Sequence, residues 1–405
     1  MSDTASNERL EKPCACCGQP ATGEEDLCPV CATELDAGTT APVETLGVPE
    51  EVTPADSGGV AALLAGISRL MEPGQSQPAG APSTELVDLS KLEDAFTLDN
   101  GFSQPDWKAI TAFVERTVLP EGEDQAWRDV VSQWLGQLRS DLGGDYRPYE
   151  SHRFIVLSCL SPRESGLVLR FAEHALDVIG QQLGDLAWKI KGAKYPLLIF
   201  EDQDDYYSYL LHFHPDGTHA SSGGACLSTG YVHIAAPHRN LTDAKAMLAH
   251  ELTHACVAHL SLPNWLNEGL AVTLEKATVG GREFIVDHEL VLRHQTFWNR
   301  ESIQRFWAGT SIDVPGESNE LTYSLAEIFV HLLANDRPAF LDFVQTADAS
   351  DAGQTAALEC LDTDLGDVAC EFLGPGEWRP NRKAIADCWK SAGWVQQEAP
   401  PKLNE

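Results

Sequence analysis

At 405 residues, 43% hydrophobic and 22% charged, the chain is long enough to bury at least one large core and has an ordinary globular composition. Its 61 Asp and Glu outnumber 28 Lys and Arg, for a formal net charge of −33. Such a surface repels phosphate backbones, and no basic patch is segregated from it, so nucleic acid is excluded as a partner and the acidity reads as a solubility device.

The opening residues, "MSDTASNERLEKP", contain no apolar stretch of the kind a secretory signal needs. The longest apolar run before the central region, "GVAALLAGI" at 59–67, is about half the length that spans a bilayer. The expectation is a cytoplasmic protein with no membrane segment. Of its 11 cysteines, several crowd into "CACCGQPATGEEDLCPVC" near the start. Cys14 with Cys17 and Cys28 with Cys31 make two C-x-x-C turns, whose four thiolates can close a tetrahedral shell around a structural Zn2+. Cys16 is surplus and leaves open which of the first three thiols ligate. Residues 1–36 are thus similar to a short zinc ribbon, a closed site suited to docking a protein partner rather than to catalysis; redox-active or exposed thiols are the alternative.

Residues 37–90 are acidic, rich in Pro and Gly and poor in aromatics, as expected of a flexible linker. Within it, "VAALLAGISRLM" can form an isolated amphipathic helix. A helical segment follows over 91–150, where "DWKAITAFVERTVL" and "AWRDVVSQWLGQLRSDLGG" space their apolar residues at helical period. Gly143 and Gly144 supply the stop. The main domain is expected over 151–380, with a C-terminal segment at 381–405. In it "RFIVLSCL", "YPLLIFE" and "GYVHIAAP" read as strands, with helices through "ESGLVLRFAEHALDVIGQQLG" and "DDYYSYLLHF" between them. Thr242 is the expected N-cap of the next helix, which carries "AKAMLAHELTHACVAHL" and must stop before Pro263. Strands followed by helices indicate the α+β class.

That helix holds an H-E-x-x-H motif. His250 and His254 lie four apart, so their imidazoles project from one face and can grip one zinc ion. Glu251, beside the first histidine, can serve as general base toward a metal-activated water. The alternative, two surface histidines around an ordinary glutamate, fits poorly with the apolar "AMLA" before them. A third ligand is required. His259 is a poor candidate, because a glycine at 257 and a histidine at 260 would be needed for H-E-x-x-H-x-x-G-x-x-H, and Val257 and Leu260 stand there. Glu268 in "PNWLNEGLAVTLE" is the better one: Pro263 forces a turn, Trp265 and Leu266 anchor a returning helix, and the small Gly269 and Ala271 permit close approach.

"HELTH" followed by "PNWLNEGLA" resembles the gluzincin metallopeptidases, in particular the peptidase MA-like domains. The resemblance covers roughly 150–375, with the 250–275 block its specific part. It implies a thermolysin-like zincin domain, in which a small mixed sheet packs on the H-E-x-x-H helix and a helical subdomain follows. It further implies a catalytic Zn2+ on His250, His254 and Glu268, Glu251 as base, and hydrolysis of a peptide or protein substrate. The family places a tyrosine or histidine opposite the base to stabilise the oxyanion; Tyr323 in "LTYSLAEIFVHLL" matches that place, and His331 is the alternative. The G-x-M-E-N segment of the family's aminopeptidases has no counterpart, since "SSGGACLSTGYVHIA" lacks an acidic residue. Endopeptidase action, with an extended peptide added to an edge strand at 230–236, is the resulting expectation. The competing expectation is a zincin-fold scaffold that cuts nothing and is tethered through its ribbon.

Overall fold

The structure is a computed structural model that describes residues 87–187, 194–215, 223–280 and 285–393. Cys14, Cys17, Cys28 and Cys31, most of the expected linker, and the chain beyond 393 lie outside the described residues. What is described is α+β: strands occur up to residue 237, and only helices follow.

The first described residues are already core. Val87 and Leu89 are buried, and the Leu89 N–H donates to Gln133 Oε1 at 2.9 Å. A hairpin comes next, β1 (Phe96–Asp99) and β2 (Phe102–Pro105), paired antiparallel. Sequence periodicity did not reveal this hairpin, because β1 is half exposed and breaks alternation. Helix α1 (Trp107–Thr117) is capped by Asp106, which accepts from the Ala109 N–H. Helix α2 (Glu123–Leu142) ends at Gly143, where φ is +65°, as its glycine pair anticipates.

The main sheet has five strands in the order β3-β4-β5-β7-β6: β3 (Arg147–Glu150), β4 (Phe154–Ser158), β5 (Tyr195–Phe200), β6 (Ala225–Leu227) and β7 (His233–Pro237). The inner strands β4, β5 and β7 run parallel, and the edges β3 and β6 run antiparallel to their neighbours. Parallel neighbours need a crossover. Helix α3 (Pro162–Leu183), opened by a capping box at Ser161 and Glu164, joins β4 to β5. Helix α4 (Gln203–Phe213) follows β5. The strand expected at 230–236 is therefore an inner one, β7, flanked by β5 and β6. The edge beside it is β6, too short and too glycine-flanked to stand out in sequence.

Residue alternation splits the core between the two faces of this sheet. Phe154, Val156, Leu197 and Ile234 join α3 and the C-terminal helices in one cluster. Ile155, Leu157, Leu198, Phe200 and Ala235 join the hairpin, α1, α2 and α4 in the other. The helices before the sheet thus cover its far face, and the near face receives α5 (Leu241–Val257), the H-E-x-x-H helix. Its cap is Asn240 rather than Thr242: Asn240 Oδ1 accepts from the Asp243 N–H at 3.1 Å, and Asn240 Nδ2 donates to the Asp243 carboxylate at 2.7 Å. Helix α6 (Asn264–Val279) starts directly after Pro263, whose carbonyl accepts from Leu266 and Asn267.

Seven further α-helices follow among the described residues: α7 (His288–Phe297), α8 (Ser302–Ala308), α9 (Glu317–Leu333), α10 (Arg337–Thr346), α11 (Gln354–Leu361), α12 (Leu365–Leu373) and α13 (Arg382–Ser391). Helix α6 lies between α5 and α9. Trp265 and Leu266 are fully buried anchors, and Trp265 Nε1 donates to the Ala352 carbonyl at 3.0 Å. Gly269 sets the spacing to α9, since a Cβ there would sit 2.6 Å from the Ala326 carbonyl oxygen. No helix among the described residues is long and apolar enough to cross a membrane.

Candidate metal centre

Helix α5 is buried along Leu248, Ala249, Leu252, Ala255 and Cys256, so the stripe between carries its polar residues into a confined space. Thr253, also fully buried, is satisfied within the helix by the Ala249 carbonyl. His250 and His254, one turn apart, have ring centroids 4.8 Å from each other. Helix α6 returns across them and places Glu268 opposite. Its Oε2 lies 3.3 Å from His250 Nε2 and 3.5 Å from His254 Nε2. One ligand atom from each of the three residues lies within 4.8 Å of the others.

The far sides of both rings are occupied. His250 Nδ1 faces Glu275 Oε2 at 3.2 Å, and His254 Nδ1 faces Asn267 Oδ1 at 2.9 Å. Both acceptors favour a proton on Nδ1, which leaves each Nε2 as the ring atom that faces Glu268 and could bind a cation. Neither Asn267 nor Glu275 stood out in the sequence. Glu275 follows Glu268 by seven residues, two helical turns on the same face, and that periodicity was the available signal.

The electrostatics follow from this crowding. Burial opposes a charge on His250, but the carboxylates of Glu268 and Glu275 outweigh it and raise its pKa to about 10. His254 is raised too, against burial, chiefly by the charge of Glu268. Burial favours the neutral form of Glu268, yet the facing histidines hold its carboxyl far below the usual range. Without a cation, these groups form a buried ion pair. Even so, Glu268 Oε2 accepts no hydrogen bond. A buried carboxylate oxygen left so between two imidazole nitrogens suits a divalent ion, and two imidazoles with one carboxylate suit zinc. Two ligands held tetrahedrally about 2.1 Å from zinc are separated by roughly 3.4 Å, which the 3.3 and 3.5 Å separations match. A proton and a cation would compete for the same atoms.

Glu251 is buried next to this cluster, and its Oε2 accepts from the Cys226 N–H of β6 at 2.8 Å. Tyr323, on α9, sets its ring edge-on to His250 with centroids 6.2 Å apart. Burial raises the pKa of its phenol strongly, and the charges of Glu268 and Glu251 raise it further, so the hydroxyl stays protonated and able to donate. Next to it, Ser324 Oγ lies 3.0 Å from Nε2 of the buried His294. His259 is exposed in the turn after α5, and His331 is exposed on α9; neither joins the cluster. The structure therefore brings together His250, His254, Glu251, Glu268 and Tyr323. Compared with known proteins, the sequence matches no family model and no curated relative.

Proposed function

We propose that the chain is a zinc-dependent endopeptidase with a thermolysin-like catalytic domain of the gluzincin kind. The observation that supports this reading best is the convergence of His250 Nε2, His254 Nε2 and Glu268 Oε2 with Glu251 at their side. A purely structural centre has no use for that last carboxylate. His250, His254 and Glu268 would hold the ion, with Glu275 and Asn267 fixing the imidazole tautomers. Zinc held there supplies Lewis acidity, polarising a scissile carbonyl and acidifying water.

The chain's own residues do the rest. Glu251 takes a proton from the attacking water and hands it to the departing amine as the C–N bond breaks. Tyr323 donates its O–H to the oxygen that gains negative charge. Strand β6, the sheet edge beside Glu251, receives the substrate backbone by strand addition. The paired C-x-x-C turns at Cys14, Cys17, Cys28 and Cys31 bind a second, structural zinc and dock a protein partner. A cytoplasmic location suits the free state of all six described cysteines.

The test uses the full chain, a quenched-fluorescent peptide library and metal analysis. Glu251→Gln is expected to retain wild-type zinc and to lose hydrolysis by about a thousandfold or more. Equal turnover by the two proteins would overturn the mechanism, and a wild type that binds zinc but cuts nothing would support a scaffold instead.

A further inference from the structure

Strand β6 has one neighbour, β7, on which Cys226 faces Ile234. In an antiparallel pair the N–H and C=O of one residue point to the same side, alternately towards and away from the partner strand. The Cys226 N–H donates to Glu251 Oε2 at 2.8 Å, so at Cys226 the strand turns its polar groups away from β7 and over α5. The strand comes this close because residue 224 is glycine. A Cβ there would collide with Met247 and come within 3.4 Å of Glu251 Cγ. Ala225 and Leu227 turn the other way, into the far core.

We propose that the Cys226 backbone N–H is a positioning group for the general base. It pins Oε2 of Glu251 and leaves Oε1 to exchange protons. This rests on the peptidase reading and adds to it a coupling: the register of the edge strand sets the orientation of the base. With the Cys226 N–H committed to Glu251, a peptide lying along β6 pairs at this residue through the Cys226 carbonyl alone and meets a base already aligned by the strand it binds.

Proline at 226 removes this donor and costs the β7 ladder no hydrogen bond, because the N–H faces outward. In the zinc-loaded full chain, assayed on the peptide library, Cys226→Pro is expected to lower kcat about ten- to a hundredfold, with KM changed less than about twofold. The loss is reversed in Cys226→Ala, which keeps the N–H. A second measurement needs neither zinc nor a folded proline variant. With 15N-labelled cysteine in the metal-free chain, the Cys226 amide proton should resonate far downfield and move upfield in Glu251→Ala. Unchanged kcat in a folded Cys226→Pro, or an amide resonance indifferent to Glu251, overturns the positioning role while leaving the peptidase reading intact. An inactive wild type would instead sink that reading and this proposal with it.

Discussion

Two pairs of buried histidines in this molecule answer burial in opposite ways. His233, on β7, sits among the rings of Trp134, Tyr209 and Phe213. Its Nδ1 donates to the Tyr231 carbonyl and its Nε2 accepts from the Tyr209 hydroxyl. His294 accepts from Trp298 Nε1 and so carries its proton on Nε2, toward Ser324. Both have neutral partners, and burial pushes each pKa down to about 4. His250 and His254 are nearly as enclosed, yet they shift upward, because carboxylates meet their ring nitrogens. Burial by itself does not mark a site. What sets this pair apart is a facing carboxylate whose Oε2 accepts no hydrogen bond.

The sharpest way to break this contrast is to delete a ring from each pair. His254→Ala should lose one metal ion per chain and reduce peptide hydrolysis by about a thousandfold or more. His294→Gln should keep the ion; mass-spectrometric metal analysis of both variants decides, and loss in both would erase the distinction. A second difference shows in acid. The folded pKa of His233 and His294 lies below the ordinary 6.5, so between 6.5 and 4 the unfolded chain binds protons that the folded chain refuses. Their contribution to stability is complete above about pH 6.5 and is lost as pH falls toward 4, on the order of 3 kcal/mol for each histidine. Urea unfolding across that window should show the decline, and His294→Gln should flatten it.

Smaller effects probe the supports. Glu275→Gln should weaken zinc by about ten- to a hundredfold in a chelator titration, with little change in unfolding midpoint. Gly269→Ala, which drives a methyl group at the Ala326 carbonyl, should lower stability by about 1–3 kcal/mol in denaturant unfolding and keep the metal stoichiometry.

Much of the site was legible because its signals are local. Four-residue spacing put His250 and His254 on one face, and Pro263, Trp265 and Gly269 together described a tight helical return that carries Glu268 inward. The anchoring of Trp265 and the close contact at Gly269 are both observed. What escaped was non-local or belonged to the backbone. Strand β6 is three residues long and offers no alternation to read. The Cys226 N–H is a main-chain group that no residue pattern encodes. Strands β1 and β3 are exposed enough to look like loop, and β2 is buried at all four positions and so shows no alternation. The inner place of β7 depends on β6 being beside it, so missing the one misplaced the edge.

The hydrogen bond from Trp265 Nε1 to the Ala352 carbonyl spans 87 residues of sequence. Its timing matters during synthesis. Helices α5 and α6 leave the ribosome well before their clamp exists, and α9, against which Gly269 seats, also emerges later. A nascent chain that stops short of residue 352 has made every ligand but lacks the acceptor that fixes the helix carrying Glu268. A settled position for Glu268 is therefore a late product of translation, reached only once the chain extends beyond residue 352.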